Sequence, residues 1–163
     1  MTESGRLDWL VDFEALAFFT ADHAAAENNK LYVNGGFWQA VVQDRFPARV
    51  VGSLVAVIKV PATEYHENHR VSIGLVGPEE ESLPFRIDGN IRVGAAPHLD
   101  RGDPSVISMA FPLDGLVLER AGDYCFVLSI NDNVLKRYRV RAIQSPPIQL
   151  PFDAPGSDND EEE

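Results

Sequence analysis

The sequence predicts an all-β antiparallel sandwich of about eight strands. Three observations lead there. Short segments alternate apolar and polar residues, the clearest being His69–Val76, where Val71, Ile73 and Leu75 share one side and Arg70, Ser72 and Gly74 the other. Turn-forming clusters separate such segments, among them Gly77-Pro78-Glu79-Glu80-Glu81-Ser82 and Asn131-Asp132-Asn133. No stretch keeps a helical apolar period for more than a couple of turns. At 163 residues the chain suits one domain able to bury its own core.

Residues 1–11 read as a flexible lead-in, 12–143 as the sandwich and 144–163 as a disordered, proline-containing acidic tail. Residues 13–20 are apolar and dense and fit a strand, with a short helix as the competing reading. Residues 22–30 are polar and alanine-rich, which suggests a loop or one helical turn ending at Asn28-Asn29. Residues 31–42 carry Asn34-Gly35-Gly36 between Leu-Tyr-Val and Phe-Trp-Gln. Asn-Gly signals a hairpin, but the flanks are short, so one strand broken by a glycine bulge is expected. Residues 52–60 are almost continuously apolar, as a strand covered on both faces would be, and Pro61 ends it. Residues 85–93 alternate again, with Arg86, Asp88, Asn90 and Arg92 outward. Residues 94–104 form a Gly/Pro/Asp loop, 106–111 a strand and 112–120 an irregular crossover. Two closing strands flank Asn131-Asp132-Asn133.

Gly122-Asp123-Tyr124-Cys125-Phe126 has the spacing of a tyrosine corner, in which a Tyr two residues before a core position bonds its hydroxyl to backbone upstream. Here the core position holds Phe126, and the paired cysteines of true immunoglobulin domains are absent, so the expected architecture is immunoglobulin-like only. A broader likeness spans roughly residues 13–142. It is carried by Ala-Phe-Phe-Thr-Ala-Asp-His-Ala, by Lys-Leu-Tyr-Val-Asn-Gly-Gly-Phe-Trp and by the closing Gly-Asp-Tyr-Cys-Phe-Val-Leu-Ser-Ile-Asn-Asp-Asn. In these the chain resembles a functionally uncharacterised bacterial family of small β-sandwich proteins, with a Gly-Lys-Leu strand, a Gly-Gly step and a closing Gly-X-Tyr hairpin. The resemblance implies the fold and a cytoplasmic location and supplies no activity. Asn29 stands where that family has Gly before Lys30, and Asn133 where Gly would suit a tight turn; the acidic tail lies outside the resemblance.

Net charge is −11, unevenly placed: Asp153, Asp158, Asp160, Glu161, Glu162 and Glu163 fall in the last twenty residues, which contain no Lys or Arg. The remainder is mildly acidic, which argues against nucleic acid or an anionic membrane as partner. No apolar run approaches the ~18 residues of a membrane span, and the first residues lack the pattern of a signal peptide. Cys125 is the lone cysteine, so no intrachain disulfide forms and a reducing compartment fits.

No catalytic constellation emerges, and no cofactor is implied. Glu64-Tyr65-His66-Glu67-Asn68-His69 is the most metal-like cluster, but His66 and His69 are spaced i, i+3 before a strand, not i, i+4 on a helix. His23, His66 and His69 with nearby carboxylates define one alternative, a small-molecule- or metal-binding protein. Cys125 has no basic neighbour in sequence to hold a thiolate. Arg137, Arg139 and Arg141, at spacing two, share one face of the last strand. They offer a cationic strip for an anionic partner, the chain's own acidic tail included; the competing reading is a solvated face that discourages edge pairing. Phe37 and Trp38 beside the double glycine are a second candidate contact, against a core role for Trp38. Ile148, Leu150 and Phe152 are spaced to be read by a partner. The leading expectation is therefore a non-catalytic interaction or assembly module with an unidentified protein partner or self-association. A virion or secretion-apparatus component is a further alternative.

Overall fold

A computed structural model of the protein describes residues 11–146, and the statements below concern these. Eleven strands form an all-β sandwich: β1 (Glu14–Glu27), β2 (Lys30–Gly36), β3 (Ala40–Gln43), β4 (Ala48–Arg49), β5 (Ser53–Val60), β6 (His69–Val76), β7 (Ser82–Ile91), β8 (Ser105–Pro112), β9 (Val117–Leu118), β10 (Gly122–Ile130) and β11 (Asn133–Gln144). One sheet has the order β2-β1-β5-β8, the other β3-β11-β10-β6-β7, and β4 pairs with β9 at one end. Every pairing is antiparallel except that of β3 with β11. Placing β1, β5 and β8 in one layer and β6, β10 and β11 in the other reproduces the A-B-E and C-F-G layers of an immunoglobulin-like sandwich.

The core follows from alternation. Phe18, Leu54, Ala56, Ile58 and Val60 from the first sheet meet Val71, Ile73, Leu75, Phe126, Leu128, Ile130, Tyr138 and Val140 from the second, all buried. Each large apolar side chain so buried contributes about 1.5–3 kcal/mol. Strand β5 is buried on both faces, as its unbroken apolar run requires. On its outward side Lys59 is buried and pairs with Glu14 of β1 at 3.1 Å.

The tyrosine corner is present. Tyr124 is buried and its hydroxyl donates to the Arg120 carbonyl at 2.8 Å. Gly122 precedes it at φ +147°, against Pro78, where a Cβ would lie 2.6 Å from the proline ring. Removing only the hydroxyl, in Tyr124→Phe, is expected to cost about 1–2 kcal/mol and lower the urea midpoint without changing the slope.

Two expectations are corrected. Residues 22–27 are not a loop or helical turn: they continue β1 and form a hairpin with β2 around Asn28 (φ 50°) and Asn29 (φ 58°). Two successive left-handed residues are what a two-residue type I′ turn needs. Residues 31–42 are not one bulged strand either. The chain leaves the first sheet after Gly36, passes Phe37 at φ +65° and enters the second sheet as β3. The crossing is pinned from both layers, because the Thr20 hydroxyl of β1 and the Tyr138 hydroxyl of β11 both donate to the Trp38 carbonyl.

The β1–β2 hairpin also reaches across its own sheet. Ala24 N donates to Ser53 Oγ at 3.2 Å, and at the tip Asn29 Nδ2 donates to the Val106 carbonyl at 2.7 Å while Asn29 Oδ1 accepts from Ser108 N at 2.8 Å. These β8 groups face away from β5, so one side-chain amide pairs the otherwise open margin of β8 as a neighbouring peptide would.

Candidate interaction surface

The outward face of the second sheet is built by the residues that alternate with its core. Strand β11 presents Arg137, Arg139 and Arg141, β10 presents Asp123, Cys125, Val127 and Ser129, β6 presents Arg70, Ser72, Gly74 and Val76, and β7 presents Arg86 and Asp88. Register aligns Arg137, Val127, Gly74 and Arg86 in one row across four strands. The two arginines of that row therefore stand three strand spacings apart, about 14 Å. Between them the floor is low. A Cβ added to Gly74 would meet nothing within 4 Å. Two depressions of about 470 and 510 Å³ adjoin here and share Arg137 and Val76; Ser72, Gly74 and Ser129 line the first, Cys125 and Arg139 the second.

Charge on this face is sorted. Arg86 pairs with Asp88 at 2.6 Å, Arg70 with Asp88 at 3.3 Å and Asp132 at 3.7 Å, and Arg141 with Asp123 at 2.7 Å. The bond from Arg141 holds the Asp123 carboxyl below the usual carboxylate range, with Arg139 adding a smaller electrostatic push. The bond from Arg86 does the same for Asp88. Arg137 and Arg139 have no salt bridge or hydrogen bond among the described residues. Both can offer a guanidinium to an external anion, although Arg139 also acts on Asp123, which with Glu80 lines the second depression. Arg92 lies past the end of β7 and does not join the row.

The remaining sequence candidates lie elsewhere. Phe37 is 66% exposed and stacks on Phe19 at 4.1 Å. Phe19 alternates with Phe18 along β1, so Phe37 stacks on the side of the first sheet turned away from the second sheet and its arginines. Trp38 packs against the core cluster at the sheet crossing. The structure therefore does not bring Phe37 and Trp38 together with the arginine strip. Ile148, Leu150 and Phe152 lie outside the described residues.

The histidines are separated too. His69 is buried against Phe13, with ring centroids 4.9 Å apart. Asn131 Nδ2 donates to its Nδ1 at 3.0 Å, which makes Nε2 the protonated nitrogen, donating to the Glu64 carbonyl at 3.0 Å. Both ring nitrogens are thus engaged: Nδ1 ties β6 to the β10–β11 turn, where Asn131 Oδ1 also accepts from Arg70 N, and Nε2 ties it to the segment before β6. With the imidazole in that tautomer, the 3.8 Å approach of the Glu64 carboxylate is a polar contact, not an ion pair. His66 occupies a left-handed position (φ 67°) beside Gly94, and His23 is exposed on β1 opposite Asn34. Among the described residues no three His, Cys, Asp or Glu side chains converge as metal ligands.

One feature escaped sequence reasoning: an apolar groove of about 560 Å³ between β7 and β9, lined by Leu75, Leu83, Phe85, Leu116 and Tyr124. Arg120, at its rim, is already bonded to Glu81 at 2.8 Å and Glu79 at 3.3 Å. The apolar Leu116-Val117-Leu118 run within the crossover was its only signal.

A model of a family of unknown function, DUF6941, matches residues 16–143. The chain belongs to that family. The match runs from within β1 to near the end of β11, so this DUF6941 chain carries its arginine strip inside the family region and residues 144–163 outside it. The DUF6941 chain is also similar to a solved immunoglobulin-like protein from Pseudomonas aeruginosa, at 10% identity and a TM-score of 0.41, covering 82% of this chain and 98% of that one. No curated protein matches it. Among the described residues no helix is long and apolar enough to cross a membrane.

Proposed function

We propose that this DUF6941 chain is a non-catalytic interaction module that holds an extended, anionic protein segment on the outward face of its second sheet. One observation carries the reading: of the five arginines on that face, Arg70, Arg86 and Arg141 are matched to acids, while Arg137 and Arg139 are not. Unmatched guanidiniums beside a glycine-floored trough offer bidentate donors to carboxylates and room for a backbone. The width between Arg137 and Arg86 accommodates a peptide chain better than a compact small molecule.

A labelled polyglutamate peptide titrated into the protein tests this by fluorescence anisotropy. The double variant Arg137→Glu/Arg139→Glu is expected to weaken binding at least ~10-fold at low salt. Gly74→Trp is expected to block the trough with both arginines intact, at a position where an added Cβ meets nothing within 4 Å. Raising salt from about 0.01 to 1 M shortens the screening length from ~30 to ~3 Å and is expected to abolish binding. Affinity that neither variant changes would remove the basis for the reading.

A further inference from the structure

We infer that the trough already has an occupant: the acidic residues 153–163 of the same chain, which a partner must displace. This rests on the interaction reading above and deepens it by naming what regulates the surface.

The first support is where the chain leaves the sandwich. Strand β11 carries Arg137, Arg139 and Arg141 in succession and ends at Gln144. The exit is held: Ser145 N donates to the Gln43 carbonyl at 2.8 Å and Gln144 Nε2 donates to the Asp44 carbonyl at 3.1 Å. The chain is therefore released at the end of the arginine-bearing strand, at the same end of the sheet as the depression lined by Cys125, Arg137 and Arg139.

The second is reach. Pro146 lies seven residue steps beyond Arg139, a path of about 24 Å at ~3.4 Å per residue. Residues 147–153 span about the same length when extended. A chain that reverses at Pro146-Pro147 thus brings Asp153 level with Arg139. Residues 154–157 then pass Arg137, which leaves Asp158 to Glu163 to cross toward Arg86.

The third is charge. The segment from Asp153 to Glu163 holds six acids and no base. The face it would meet holds two arginines, Arg137 and Arg139, that make no salt bridge among the described residues. Tethering makes the contact intramolecular, with an effective concentration in the millimolar range for a short linker. A weak attraction is enough to fill the trough, and a partner without the tether has to compete.

Two measurements test this on the full chain. In the first, a spin label is placed at Asn159→Cys in a Cys125→Ser background. Relaxation enhancement is expected at the amides of Ser72, Gly74, Val127 and Arg137, and is expected to vanish in Arg137→Glu/Arg139→Glu. No enhancement there, or enhancement only when labelled and observed chains are different copies, overturns the inference. In the second, the six acids are replaced by Asn and Gln and the polyglutamate titration is repeated. Affinity is expected to rise about tenfold over the native chain. Unchanged affinity that still depends on Arg137 and Arg139 overturns the resident segment while leaving the interaction surface standing. Absence of binding even in the neutralised chain removes both.

Discussion

Replacing Gly52 with alanine is expected to destabilise the sandwich by about 3–5 kcal/mol, a large share of the ~5–15 kcal/mol that holds a typical domain together. Gly52 sits at φ +149°, outside the range an L side chain adopts comfortably. Its added Cβ would lie 2.7 Å from the Ala21 carbonyl oxygen and 3.1 Å from the Trp38 ring. The first neighbour is backbone of β1, paired there with both β2 and β5, and it cannot swing aside. The second is the tryptophan whose carbonyl takes hydroxyls from Thr20 and Tyr138. One methyl group therefore loads the point where the chain changes sheets. Chemical denaturation checks the expectation, and a loss under about 0.5 kcal/mol would show that the crossing yields more freely than its bonds suggest.

Ile73→Ala is the second large loss, about 2–5 kcal/mol. Ile73 is fully buried on the inner face of β6, in register with Leu128 on one side and Ile87 on the other. Removing its side chain opens a space that Leu128 and Val71, both buried in the same core, can refill only in part. Val134→Ala, at a position 50% exposed, is expected to stay within about 0.5 kcal/mol and serves as the comparison. Equal losses at the two positions would mean that the assigned inner and outer faces are wrong.

Much of the sandwich was legible because alternation reports which face is buried. Strand β6 matches the alternating run residue for residue, and Val71, Ile73 and Leu75 all face inward. The tyrosine corner was legible because its spacing is a geometric requirement of the bond it makes. The β1–β2 hairpin was not, because Ala24, Ala25 and Ala26 carry little strand preference and two asparagines do the turning that Asn-Gly usually signals. Asn34-Gly35-Gly36 marked a break but not the change of sheet, since the left-handed position at Phe37 is held by a tertiary bond to Thr20 and not by a glycine.

The candidate surface was legible only in one dimension. Spacing put Arg137, Arg139 and Arg141 on one face, as the structure does. Which of them is matched to an acid depends on Asp123 lying beside Arg141 across β10, and the trough depends on Arg86 sharing a row with Arg137 three strands away. Strand order decides both, and strand order is not encoded in any single segment.

The Asn29 amide on β8 has a consequence for how copies of this chain can associate. On β8 Asn29 takes the outward backbone groups of Val106 and Ser108, while β2 forms the opposite margin of the first sheet. A sheet open on one side can pair with its twin about a two-fold axis, and that pairing uses up the margin in both copies. Growth of a filament needs both margins of one sheet, and here an asparagine obstructs one of them at Val106 and Ser108.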